Sequence, residues 1–133
     1  SISVIIKEIK PGGVDTNTVL KENQLFERLM NLEQLSPEQV NTLLPTREDF
    51  AVVFKFLRSE KGWSYPPYII CTRLNNKRIN YGRLQVILTA MHQLSLIEYK
   101  NTYNETGIKL LPTDGKADLN SAKIMKQLLS YIN

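Results

Sequence analysis

"NNKRINYGRLQVILTAMHQLSLIEYKN", residues Asn75–Asn101, changes character halfway along. Its first half places Lys77 and Arg78 ahead of Leu84, Ile87, Leu88 and Met91, apolar positions at the spacing of one buried helix face. Asn80 stands where that helix needs a cap. The second half, "LSLIEYKN", reads as a strand, and "TGIKLLP" follows as its partner across the turn residues Asn101 to Gly107. A basic-headed helix feeding straight into a hairpin is the centre of a winged helix-turn-helix, provided the preceding segments supply two more helices.

They do. "PTREDFAVVFKFLRSE" predicts the strongest helix of the chain: Thr46 caps the amide of Asp49, Glu48 and Asp49 sit in the first turn, and Phe50, Val53, Phe54 and Leu57 form a stripe. Gly62 closes it, with Trp63 packing just beyond. Pro66 and Pro67 then open a short helix over Tyr68 to Leu74, and "NNKRIN" is the turn. Further out, Asp118 or Asn120 caps a last helix carrying Ile124, Leu128, Leu129 and Tyr131. Upstream, residues 18–34 read as a helix, and Ser36 with Pro37 and Glu38 starts a short one that ends by Leu44, before Pro45. "SISVIIKEIK" reads as a strand stopped by "PGG". The expected architecture is mainly α with a small β-hairpin: a terminal strand over 1–11, a helical connector over 12–45, and a winged-helix-like domain over 46–133.

The 133 residues are 42% hydrophobic and 23% charged, an ordinary globular composition. No apolar run approaches the roughly 18 residues of a membrane span. The single cysteine, Cys71, lies in the apolar run "YIICTRL" and reads as a small buried hydrophobe. Charge is unevenly spread. Residues 1–60 hold seven Lys/Arg against nine Asp/Glu, whereas 61–133 hold ten against four. The basic surplus therefore belongs to the second half, a pattern suited to an acidic or phosphate-bearing partner.

Catalytic patterns are missing from the sequence. It has one histidine, His92, and no CxxC, HExxH, GxSxG or phosphate-loop motif. Binding chemistry is better represented. Arg73, Lys77, Arg78, Asn80 and Arg83 cluster around the turn and the head of the third helix, with Lys100 and Lys109 on the hairpin. Arg and Lys suit phosphate oxygens, and amides at a capped helix start point the same way. The reading is weak phosphate-mediated binding of single-stranded DNA, with Tyr81, Tyr99 and Tyr103 as stacking candidates. The same residues equally describe a solvated turn on a protein-docking module.

"VIIKEIKP", followed some thirty residues later by "LLPTREDFAVVFKFLR", resembles the C-terminal region of RecJ, the single-stranded-DNA-specific exonuclease of the DHH family. In RecJ forms with a domain after the OB-fold, that fold ends in a strand of the kind Val4 to Pro11 matches. A helical connector and a helix start like Pro45 to Glu48 follow, and "LTAMHQLSLIEYKN" fits the next helix-into-strand. The resemblance implies a cytoplasmic, non-catalytic accessory part of a 5′-to-3′ exonuclease acting in DNA repair and recombination. Its partners would be DNA, repair proteins and the remaining domains of the same polypeptide. Mn²⁺ or Mg²⁺ would belong only to the catalytic domains, and this chain carries no catalytic or metal-binding residue of that family. Two other readings stay open: a free-standing winged-helix regulator that dimerises through Ser121 to Ile132, and a pure protein-interaction module.

Overall fold

Two reciprocal caps set the beginning of the architecture. Ser36 Oγ accepts from the Gln39 amide while the Gln39 side chain accepts from the Ser36 amide, and Thr46 and Asp49 repeat the exchange ten residues on. Each satisfies two amides that a helix start would otherwise leave unpaired. In the computed structural model, which describes residues 16–60, 63–101, 106–113 and 116–132, these caps begin α2 (Pro37–Leu43) and α3 (Arg47–Ser59). Before them runs α1 (Thr16–Met30); after them come β1 (Trp63–Ser64), α4 (Pro67–Leu74), α5 (Tyr81–Gln93), β2 (Ile97–Asn101), β3 (Thr106–Leu110), a 3₁₀ turn (Leu119–Ser121) and α6 (Lys123–Ser130). The protein is mainly helical with a small antiparallel hairpin, as expected. The strand expected over 1–11 lies outside the described residues.

Element boundaries follow local chemistry. The first helix ends earlier than the expected residue 34, because Leu32 takes a left-handed φ of 62° and the Glu33 amide turns back to the Arg28 carbonyl. Asn75 ends α4 in the same region of backbone space, at φ 45°. The last helix is not capped by Asp118 or Asn120. Asp118 caps the 3₁₀ turn instead, and the first turn of α6 is capped from a distance: Gln93 Oε1 accepts from the Ile124 amide at 2.9 Å.

β1 was not foreseen. Trp63 and Ser64 pair with Lys109 and Ile108, so the hairpin becomes a three-stranded sheet of order β1-β3-β2 with β3 in the middle.

α5 is the hub. The expected face of Leu84, Ile87, Leu88 and Met91 is buried, and so are Tyr81, Gly82, Val86 and Ala90 on its other sides. Helices α1, α2, α3, α4 and α6 and strand β2 all pack on it. Residues from both sides of the expected boundary at 45/46 share one core: Leu29, Leu35, Val40 and Leu43 join Phe50, Val53, Leu88 and Ile124. Burying each such side chain contributes about 1.5–3 kcal/mol.

Candidate nucleic-acid interface

The head of α5 is where the basic cluster falls, and its geometry follows from one cap. Asn80 is extended (φ −71°, ψ 170°), and its Oδ1 accepts from the Arg83 amide at 2.8 Å. Its Nδ2 faces the other way and donates to the Thr42 carbonyl at 2.9 Å, tying α5 to α2. Asn80 is thus wholly engaged as a cap and a strut.

The amides at this helix start do not face solvent, contrary to the sequence-based expectation. Glu22 reaches from α1 and its Oε2 accepts from the Tyr81 amide at 2.7 Å. Burial raises the Glu22 pKa, against the pull of the Tyr81 and Gly82 amides and of Arg83. A carboxylate already occupies the position that a phosphate would take at a helix N-terminus. Gly82 explains how α1 comes so close: a Cβ there would lie 2.7 Å from Leu43 Cδ2 and 2.9 Å from the Glu22 carbonyl oxygen.

Arg78 and Arg83 are likewise built into the joint. Arg78 Nε and Nη2 donate to Asp49 Oδ1 and Oδ2, both at 3.2 Å, so the turn is clamped to the first turn of α3. Asp49 is only 2% exposed. Burial pushes its carboxyl pKa up, but the Thr46 amide and the Arg78 guanidinium prevail and hold it below the usual aspartate value. Arg83 donates from Nη2 to the Asn41 carbonyl at 2.7 Å and from Nη1 to the Arg78 carbonyl, while its Nε is buried without a partner. Burial lowers the Arg83 pKa, with Asp49 opposing. Arg83 is thus half-buried and bonded, whereas Arg78 stays exposed while it grips a buried carboxylate.

The remaining candidates differ. Lys77 is exposed at the turn beside this network, and Arg73 is exposed at the end of α4 with its guanidinium 4.1 Å from the Tyr65 ring centroid. Lys100 and Lys109 are half-buried on β2 and β3, and Lys109 stands in register with Glu98, an opposite charge. Tyr81 is 6% exposed and its hydroxyl accepts from Gln85 Nε2 at 3.2 Å, so its ring is closed to a base. Tyr99 meets His92 edge-on at 5.1 Å, and Tyr103 lies outside the described residues. Cys71 is half-buried under the turn, where burial and then the Glu22 charge push its thiol up to about 12, far from a reactive thiolate.

The joint therefore unites Glu22, Asn41, Thr42, Asp49, Arg78, Asn80, Gly82 and Arg83. The sequence reading named only its basic members, Asn80 and the cap of α3. One signal for the rest was legible: a glycine inside the first turn of a helix marks a close approach.

Among the described residues, no helix is long and apolar enough to cross a membrane, and no three His, Cys, Asp or Glu side chains gather as a metal site. No family model, curated protein or solved structure matches the chain.

Proposed function

We propose that the chain is a winged-helix accessory domain of a RecJ-type single-stranded-DNA exonuclease, cytoplasmic, and that its task is docking rather than cleavage. The observation that carries the winged-helix part is the sheet. Helix α3 leads into β1, helices α4 and α5 follow, and β2 and β3 return so that β3 lies between β1 and β2. That is the order of a three-helix head with a wing. The exonuclease frame rests on the resemblance carried by Val4 to Pro11 and Pro45 to Glu48.

Within this reading α5 is a packing axis, not a helix that enters a groove. Groove readers present the start of the third helix to base edges. Here that start meets Glu22, Leu43 and Thr42. Contacts to DNA phosphates fall to exposed Lys77 and Arg73 at the α4–α5 corner, giving weak binding without sequence preference. A free-standing regulator that dimerises through α6 is less favoured, since Ile124, Met125 and Leu128 of that helix are spent on the chain's own core.

The coding sequence upstream of Ser1 tests the frame directly. A DHH-type catalytic region leading into an OB-fold is expected there. A start codon at or near Ser1 removes the exonuclease reading.

A further inference from the structure

A trough lies against the face of α3 that carries Arg47, Ala51, Phe54 and Arg58. Its main part has a volume of about 1110 Å³, somewhat above the roughly 300–1,000 Å³ of small-molecule cavities. One wall is α3 itself, where Arg47, Ala51, Phe54, Lys55 and Arg58 follow at helical spacing. The 3₁₀ turn contributes Leu119, and Leu44 and Leu129 line the trough further. Phe50, Met91, Leu96 and Met125 lie beneath as a closed floor. A second hollow, lined by Phe54, Arg58 and Thr113 in common with the first, extends it past Leu110 and Pro112.

We infer that this trough docks an acidic amphipathic helix of a partner polypeptide. Charge points to an acidic guest. Arg47, Lys55 and Arg58 rim one side, and the one acid among the described lining residues, Asp118, has its Oδ1 engaged by the Asn120 amide at 3.1 Å. A guest helix with carboxylates toward α3 and aliphatic side chains toward Leu44, Ala51, Leu119 and Leu129 matches both features.

The surroundings of the trough select a helix over other guests. An extended peptide needs a sheet edge to pair with, but β3, the strand that borders the trough, is paired on both sides at Ile108 and Lys109 and to β2 at Leu110. A helix satisfies its own backbone. Single-stranded nucleic acid seated in a groove stacks its bases on open aromatic faces. Phe54 is the half-buried aromatic of the lining, and the Arg58 guanidinium sits 5.1 Å from its ring centroid. The other aromatic among the described lining residues, Phe50, is buried in the floor, and the remaining apolar lining carries no ring on which a base could stack. The inference deepens the docking reading, yet it depends on α3 and its neighbours and not on the exonuclease frame, which the upstream sequence tests separately.

The test is fluorescence anisotropy with a labelled synthetic helix of Glu, Ala and Leu, its leucines at i, i+3, i+4 and i+7. Saturable binding to the full chain is expected, with little binding of a scrambled peptide or of one with Lys in place of Glu. Reversing the rim (Arg47→Glu, Lys55→Glu, Arg58→Glu) should weaken binding roughly tenfold or more, the sum of three exposed ion pairs. Ala51→Trp, at an exposed position, should block the trough with an unchanged melting temperature. The inference is overturned by absent binding of the acidic helix, by equal binding of the scrambled peptide, or by affinity untouched in both variants. Displacement of the probe by oligo-dT that is itself lost on rim reversal would make the trough a nucleic-acid surface and also overturns it.

Discussion

Arg78 and Asp49, twenty-nine positions apart, close on each other through two parallel 3.2 Å contacts between a guanidinium and a carboxylate. This pair fixes the α4–α5 turn against α3, and Asp49 at the same time caps α3 through the Thr46 amide at 2.8 Å. One carboxylate thus serves a helix start and a long-range clamp. Because Asp49 is buried while Arg78 remains largely exposed, losing the acid costs more than losing a surface pair does.

Asp49→Asn should destabilise the fold by about 2 kcal/mol at neutral pH, the scale of charged hydrogen bonds lost at a buried site. The folded-state pKa of Asp49 lies below its ordinary value of 3.8, so its contribution is present above that value and lost as pH falls through the lowered one. Denaturant melts from neutral to strongly acidic pH should therefore show the gap between wild type and variant closing on the acid side. Glu22 runs the other way. Its raised pKa means that its contribution fades as pH rises from its ordinary 4.5 through the folded-state value. A gap that is constant with pH would separate Asp49 from the acid limb.

Gly82→Ala tests the close approach of α1 and α2 to α5. On helix propensity alone the change stabilises by about 1 kcal/mol. The added carbon, however, would stand 2.9 Å from the Glu22 carbonyl and 2.7 Å from a core leucine. A net loss of roughly 1–3 kcal/mol is expected, the usual cost of overpacking. A variant that melts higher than wild type would mean that α1 does not sit against this turn.

Leu32 ends α1 in a left-handed conformation with its side chain 72% exposed. Leu32→Gly should raise stability by about 1 kcal/mol, because glycine adopts that conformation without the penalty a side chain meets. Thermal melts of the two proteins decide it, and a lowered melting temperature would contradict the turn geometry.

The isolated chain should leave labelled single-stranded DNA intact in the presence of Mn²⁺ or Mg²⁺. Metal-dependent shortening that co-purifies with the protein through successive columns would contradict the accessory reading.

Much of this fold was legible because local signals agreed with one another. Ser36 and Thr46 announced their caps, Asn80 its helix, and the Leu84–Met91 stripe its buried face, all within a few residues of sequence. What escaped was long-range. β1 is two residues whose only justification is Lys109 and Ile108 across the sheet. The cap of α6 comes from Gln93, thirty-one positions away. At the candidate site the basic residues were visible, but the groups that engage them, the Asp49 carboxylate and the Asn41 carbonyl, lie on other helices, as does Glu22, which takes the Tyr81 amide. A run such as "NNKRIN" looks solvated until its partners are placed, since charge in sequence says nothing of what a side chain will face.

The head of α5 is a joint, and the proposed phosphate contacts belong to Lys77 and Arg73 at its rim. Salt titration of single-stranded DNA binding, run beside denaturant melts on Arg83→Ala and Lys77→Ala, tests it most directly. Arg83→Ala should lose about 1–3 kcal/mol of stability, through loss of the two hydrogen bonds that its charged guanidinium donates to the Asn41 and Arg78 carbonyls, with the salt slope unchanged. Lys77→Ala should keep its stability within about 0.5 kcal/mol and lower the salt slope by about 0.7, the value of one phosphate contact on a single strand. An Arg83→Ala protein that melts like wild type while its salt slope falls would show that the α5 head faces DNA, and would contradict the account.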